Sequence, residues 1–472
     1  MALVTVLAVA CTGRTVPAQK LRDVDHVVHL QATANQGGFL LVARPPFHDQ
    51  TLLGARVHFR VADLLLAVPF TTDASGQWRL PYPKGTKLNV VVQAMWMETS
   101  GIKTSNALHL RQNLYKSWAN SPSDDKSHWP IGVWLQNPSN ASKYKALGIN
   151  LYVGLWKGPT STQLSSLGSQ GMPAFSSQNT VGLTSSQNST LEGWLQQDEP
   201  DNAQWNSSAN RYDPPVLPSV IQSRYTTMKS LDKSRPVFLN FGAGMADEKW
   251  GGRGTRTGHL EDYPEYIKGA DILSFDFYPV AGPSRTELQG HLEVVGNGVR
   301  RLVGWAQEKP VWNFIEAAGV KNGTRPTQTQ IRSEVWMSII NGAVGTMYFV
   351  HEFTPSFIEA TPLQDPKLAS ALTTINDRLR KLAPVLNSAS VRGDVTITAP
   401  RRIEFLHKVL AGKDYLLAVN MDPQSCTAGI LLNGLDKAPV QVLDESRSLS
   451  LVKGAMTDTF GPYQVHLYQI GN

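Results

Sequence analysis

Between residues 128 and 385, short apolar runs alternate with longer stretches that read as helices, and this alternation restricts the fold more than any other feature of the chain. Eight apolar runs can be placed, at 131–134, 150–154, 173–176, 191–196, 237–241, 272–278, 311–316 and 346–351. Helical stretches fall between them at 142–147, 218–231, 288–307, 329–341 and 366–382. Thr327-Gln328-Thr329-Gln330 ahead of Ile331 is a helix start. Strands that alternate with helices form βα units, and parallel strands covered on both faces read as unbroken apolar runs. Eight such units in about 250 residues predict an α/β protein built on a closed (β/α)8, or TIM, barrel. An open sheet of six or seven strands is the alternative, because helices are hard to see around the third run.

The flanks read differently. Residues 27–115 carry short strands with turn signals: Ala55-Arg56-Val57-His58-Phe59 alternates with period two, and Asp73-Ala74-Ser75-Gly76 is a turn. This spacing predicts an N-terminal β-sandwich, Ig-like or prealbumin-like. Residues 388–472 return to strands punctuated by Gly412, Gly434, Gly454 and Gly461, predicting a C-terminal β-sandwich. The barrel is expected over 125–385.

Residues 1–26 read as a signal or lipoprotein-like segment and linker. The first ten are mostly apolar and too short to span a bilayer. Leu7-Ala8-Val9-Ala10-Cys11 loosely resembles a lipobox, which makes Cys11 a candidate lipid anchor and predicts a secreted, periplasmic or outer-surface bacterial lipoprotein. No later run is long enough for a membrane helix. The other cysteine, Cys426, has no partner nearby in sequence, so no disulfide framework or thiolate metal site is expected. The net charge of +6 is spread along 472 residues without a basic block, which argues against nucleic-acid binding. Clustered histidines, His-Glu-X-X-His, phosphate-binding glycine patterns and Gly-X-Ser-X-Gly are all missing, so neither a metal, a cofactor nor a serine nucleophile is expected.

Two acids end apolar runs: Glu199 after 191–196, and Glu316 at the end of 311–316. A buried ionised acid must be offset by partners or by function. Reactive residues of a barrel sit at the C-terminal ends of its strands, and a pair of carboxyl groups there suits glycosidic bond cleavage. Trp134 after the first run, Trp156 after the second and His351 at the end of the eighth are candidate sugar contacts, with Gln136 and Glu352 beside them. Asn240 and Asp276 are further candidates, and the glycine-rich loop 242–259 around Trp250 is a candidate lid. Each has a plainer alternative: a solvated turn acid, a packed aromatic or a satisfied histidine.

Glu199-Pro200 after the fourth run, Tyr278 in Phe275-Asp276-Phe277-Tyr278-Pro279, and Glu316 at the end of the seventh resemble clan A glycoside hydrolases. The resemblance covers the barrel and rests on short motifs. It implies a retaining enzyme that cleaves β-glycosidic bonds of an oligo- or polysaccharide, with Glu199 as acid/base, Glu316 as nucleophile and Tyr278 donating to Glu316. One residue departs from it. The clan places asparagine before the acid/base, and this chain has Asp198, which can accept a bond from a sugar hydroxyl but cannot donate one when ionised. A transglycosylase on the same site and a non-catalytic carbohydrate-binding barrel are the alternatives.

Overall fold

The computed structural model describes residues 20–24, 27–82, 87–98 and 100–471. Cys11 and most of the leader-like segment lie outside the described residues.

Eight parallel strands form the central sheet: β1 (Ile131–Trp134), β2 (Leu151–Val153), β3 (Ala174–Ser177), β4 (Leu191–Leu195), β5 (Val237–Phe241), β6 (Ile272–Phe275), β7 (Asn313–Glu316) and β8 (Thr346–Phe349). Neighbours pair in chain order, and β8 pairs with β1. The ring closes between β6 and β7 through one parallel bridge, Leu273 to Val311. Around it, the Leu273 N–H donates to Pro310 O at 3.0 Å and the Trp312 N–H to Leu273 O at 2.8 Å. The fold is therefore the closed barrel expected from the βα alternation.

Its interior is aromatic. Phe175 of β3, Phe238 of β5, and Trp312 and Phe314 at β7 meet with ring centroids 5.4 to 6.4 Å apart. They come from alternate strands, as layered barrel packing requires. Gly193 of β4 makes room for this layer, since a Cβ there would lie 1.9 Å from the Phe175 ring. Helices Glu293–Ala306, Gln328–Ile340 and Pro366–Leu386 stand outside the strands. The second of these opens with a capping box, Thr327 with Gln330.

The two β-rich flanks share one antiparallel sheet of thirteen strands. Ser390–Arg392 joins them, pairing on one side with Gly101–Gln112 and on the other with Ile403–Leu410. The strand Lys413–Asn420 shows how this sheet is buried on both faces. Leu417 and Val419 belong to the core that contains the barrel, while Leu416 and Ala418 pack into a separate core on the far face. Alternate side chains point to opposite faces, so one strand serves two cores. Polar links fix the sheet to the barrel: Ser333 Oγ donates to Tyr463 O at 2.7 Å, and the Tyr463 hydroxyl to Glu293 at 2.7 Å.

Candidate active site

Loop 4 leaves β4 through Gln196, whose Nε2 donates to Ile221 O and Gly269 O, each at 3.0 Å. Three residues on, Glu199 adopts φ +41°, the left-handed region that non-glycine residues avoid. Such a conformation costs on the order of 1–3 kcal/mol and collects at functional sites. Surrounding bonds impose it. The Glu199 N–H donates to Asn240 O at 3.1 Å, and Glu199 O accepts from the Asn202 N–H at 3.1 Å. Asn202 Nδ2 donates to Glu199 Oε2 at 2.9 Å. Beneath the loop, buried Asp201 accepts from the Gly242 N–H at 3.0 Å and the Tyr263 hydroxyl at 2.9 Å, which ties loop 4 to loop 5.

The strained turn brings Glu199 against Asp276, the first residue after β6. Burial raises the Glu199 carboxyl well above the ordinary glutamate range, and the Asp276 charge and hydrogen bond raise it further. Burial, aided by the Asp198 charge, pushes Asp276 up to about 7, while its contact with Glu199 opposes that rise. Two carboxylates cannot both stay ionised at this range, so the pair holds a proton, and Glu199 is its carrier. The Tyr278 hydroxyl and Asp276 Oδ1 are both buried, and neither completes a hydrogen bond of regular geometry. They still lie close enough for the hydroxyl to favour ionised Asp276.

Asp198 lies beside them, accepting from Asn240 Nδ2 at 3.1 Å, and Asn240 Oδ1 in turn accepts from Ser274 Oγ at 2.7 Å. The protein around Asp198 and the neighbouring Glu199 push its carboxyl upward. The residue itself is exposed to solvent.

Glu316 differs from expectation. It is fully buried, with Oε1 accepting from the Val280 N–H at 2.7 Å and Oε2 from the Ala281 N–H at 2.6 Å. Its remaining charge partner is Glu334 of helix Gln328–Ile340, itself fully buried. Burial raises both, Glu316 to about 7 and Glu334 well above the ordinary range, so the helix carboxyl carries the shared proton. Above the single bridge between β6 and β7, the Glu316 side chain takes over the joining of the two strands. The two acids expected to face each other thus each have another acid for a neighbour, Asp276 for Glu199 and Glu334 for Glu316. The expected Tyr278–Glu316 hydrogen bond is absent, because Tyr278 sits with Asp276, Glu199 and Asp198.

Other expected residues separate into two groups. His351, Trp134 and Asn240 lie in or near the mouth. His351 is 6% exposed, and Trp134 packs edge-to-face on Phe314 at 5.5 Å. Trp156 is 67% exposed, with Lys157 over its ring at 6.0 Å, and no contact joins it to the acids. Gln136 and Glu352 are structural. Gln136 bridges Tyr144 and Glu359 O. Glu352 is held by Arg325 and the Gly319 N–H. In loop 242–259, Arg253 is 1% exposed and anchors the root to Asp262, while Trp250 Nε1 donates to Asn202 Oδ1 at 3.3 Å. No group of acids, histidines or cysteines among the described residues is arranged to hold a metal ion.

No family profile and no curated protein sequence matches the chain. Solved structures give distant similarity. An α-amylase from Geobacillus thermoleovorans complexed with acarbose aligns over 74% of this chain and 99% of its own, at 10% identity and TM-score 0.43. A GH30 endoxylanase from Clostridium papyrosolvens aligns over 73% and 96%, at 13% identity and TM-score 0.39. A GH27 β-L-arabinopyranosidase from Geobacillus stearothermophilus aligns over 76% and 99%, at 12% identity and TM-score 0.43. The fold assignment rests on this chain's own strand order and closure.

Proposed function

We propose that the protein is a glycoside hydrolase whose working carboxyl groups are Glu199 and Asp276. The observation that carries this reading is the strained Glu199 set against Asp276 after strands β4 and β6, where burial raises both carboxyl groups. A carboxyl kept protonated near neutrality is a general acid, and a neighbouring carboxylate can serve the anomeric centre as that acid gives up its proton. Glu199 protonates the departing oxygen. Asp276, steadied by Tyr278, then acts on the carbon or on the incoming water. The Glu199 and Asp276 carboxyl groups lie within hydrogen-bonding reach of one another. Glu316 as nucleophile would have to abandon two amide bonds and Glu334, so the geometry favours Asp276 for the second role. Asp198 and Asn240 are placed to take sugar hydroxyls.

A panel of α- and β-linked aryl glycosides and polysaccharides, assayed with the wild type, Glu199→Gln and Asp276→Asn, tests this. Removing the acid should lower turnover about 10²–10⁴-fold. Unchanged turnover in Glu199→Gln, or no hydrolysis of any substrate by the wild type, would sink the reading. The anomer released first, followed by NMR, separates retention from inversion.

A further inference from the structure

At the N-terminal ends of β7 and β8, opposite the mouth, the barrel and the thirteen-stranded sheet enclose a cavity of about 460 Å³. Val303, Val311, Ile340 and Val344 give it an apolar wall on the barrel side. The sheet side is polar. Strand Gly101–Gln112 brings His109 and Arg111 to it, two residues apart and so on one face. Ser390 pairs with His109 on one side and with Lys408 on the other, which sets these three in a row across the junction of the two β-rich flanks.

Most cations here are occupied. Lys309 Nζ donates to Ile267 O and Ala270 O, each at 2.7 Å, and Lys408 Nζ to Leu386 O at 2.8 Å and Ser388 O at 2.7 Å. Arg300 is paired with Glu404, and Arg392 with Asp49 at 3.3 Å. Arg111 differs. Among the described residues no acceptor bonds its guanidinium, yet its nitrogens are not sealed off by protein atoms. Burial lowers it to about 10, which leaves it charged at neutral pH. Burial, and next the Arg111 charge, lowers both His109 and Lys408, and no carboxylate bears on any of the three. Asp124 lines a smaller hollow against the same arginine but answers to Lys116 and Lys87 instead. The Arg111 charge therefore belongs to the cavity that His109 lines. A buried charge of this kind is costly unless an opposite charge meets it.

We propose that this cavity is a binding site for a small organic carboxylate, with Arg111 taking the carboxylate and the barrel-side wall taking the apolar body. The guanidinium fork matches a carboxylate through two parallel bonds. A hollow of this size, apolar on one side with a few polar groups on the other, suits a molecule with a carbon skeleton better than a bare ion. The site is separate from the carboxyl pair at the mouth and stands whether or not that pair cleaves glycosides.

The test uses 2-naphthoate as probe and full-length protein. Calorimetry should show binding to the wild type, weakened roughly tenfold or more in Arg111→Met. The neutral 2-naphthamide, of the same shape, should bind the wild type weaker by a similar factor. Arg111→Met removes an uncompensated charge and keeps an unbranched stem, so it should melt no lower than the wild type. Should it fail to fold, Arg111→Lys, which keeps the charge and loses the fork, must weaken the probe in its place. Glu199→Gln should bind 2-naphthoate as the wild type does, which sets the site apart from the mouth. Absent binding, binding undiminished in the folded Arg111 variant, equal binding of the amide, or loss of binding in Glu199→Gln overturns the proposal. Displacement of 2-naphthoate by inorganic phosphate at equal concentration also overturns it, in favour of a site for bare anions.

Discussion

Glu199, Asp276 and Asp198 set the pH behaviour of the site. Asp276 must be ionised to act, and its carboxyl is pushed up to about 7. Activity should therefore rise as pH increases through about 7, then fall at higher pH as Glu199 loses its proton. In a pH profile of kcat/KM, which reports the free enzyme, the acidic limb belongs to the coupled pair. Asp198→Asn removes a charge that pushes Asp276 upward, so this limb should move to lower pH. A limb that stays in place would show that Asp198 does not govern the pair. At this scale the sequence was partly legible. Glu199 was visible because an acid followed by proline ends an apolar run. Asp276 was visible only as a minor candidate, since its importance lies in facing Glu199 across two loops.

Among elements, strand β7 and helix Gln328–Ile340 are joined by the Glu316–Glu334 pair. Glu316 titrates near 7 in the fold against an ordinary value of 4.5. A group raised by folding adds stability at low pH and loses it as pH climbs through its folded value. Melting temperature should therefore fall between pH 5 and 8. Glu334→Gln keeps a donor for Glu316 without a titrating proton, so its melting temperature should depend less on pH over this range. A variant with the wild-type slope would show that the pair is not a source of that dependence. A strand-end acid gives the same local pattern whether it faces the mouth or a helix, so the neighbour Glu334 was not legible from the run that ends in Glu316. Its own sign in the sequence was an acid followed by the apolar run Val335-Trp336-Met337. Alone it was ambiguous, because pairing two distant acids needs the fold.

In the whole molecule, the flanking strands were legible from alternation and turns, but their union was not. Nothing local in Gly101–Gln112 names Ser390–Arg392 as its neighbour, since pairing over such separation leaves no periodic trace. A chain beginning at residue 113 would lose four strands of the shared sheet and bare the edge of Ser390–Arg392. Exposed edges template association, so this truncation should aggregate, as soluble yield and light scattering would show. A soluble, monomeric product with the wild-type melting temperature would mean that the barrel and C-terminal strands are self-sufficient.

The same junction has a consequence in time. The ribosome releases Gly101–Gln112 long before it makes Ser390–Arg392. At the usual pace of ~5–20 residues per second, the interval is on the order of tens of seconds. Throughout it, the first β-rich region exists as nascent chain with one flank of its sheet open. The completed molecule covers that edge with Ser390–Arg392. Greater dependence on chaperones during synthesis than the finished protein's stability would suggest is the expected outcome of the order in which the strands are made, and refolding yield compared with and without chaperones checks it.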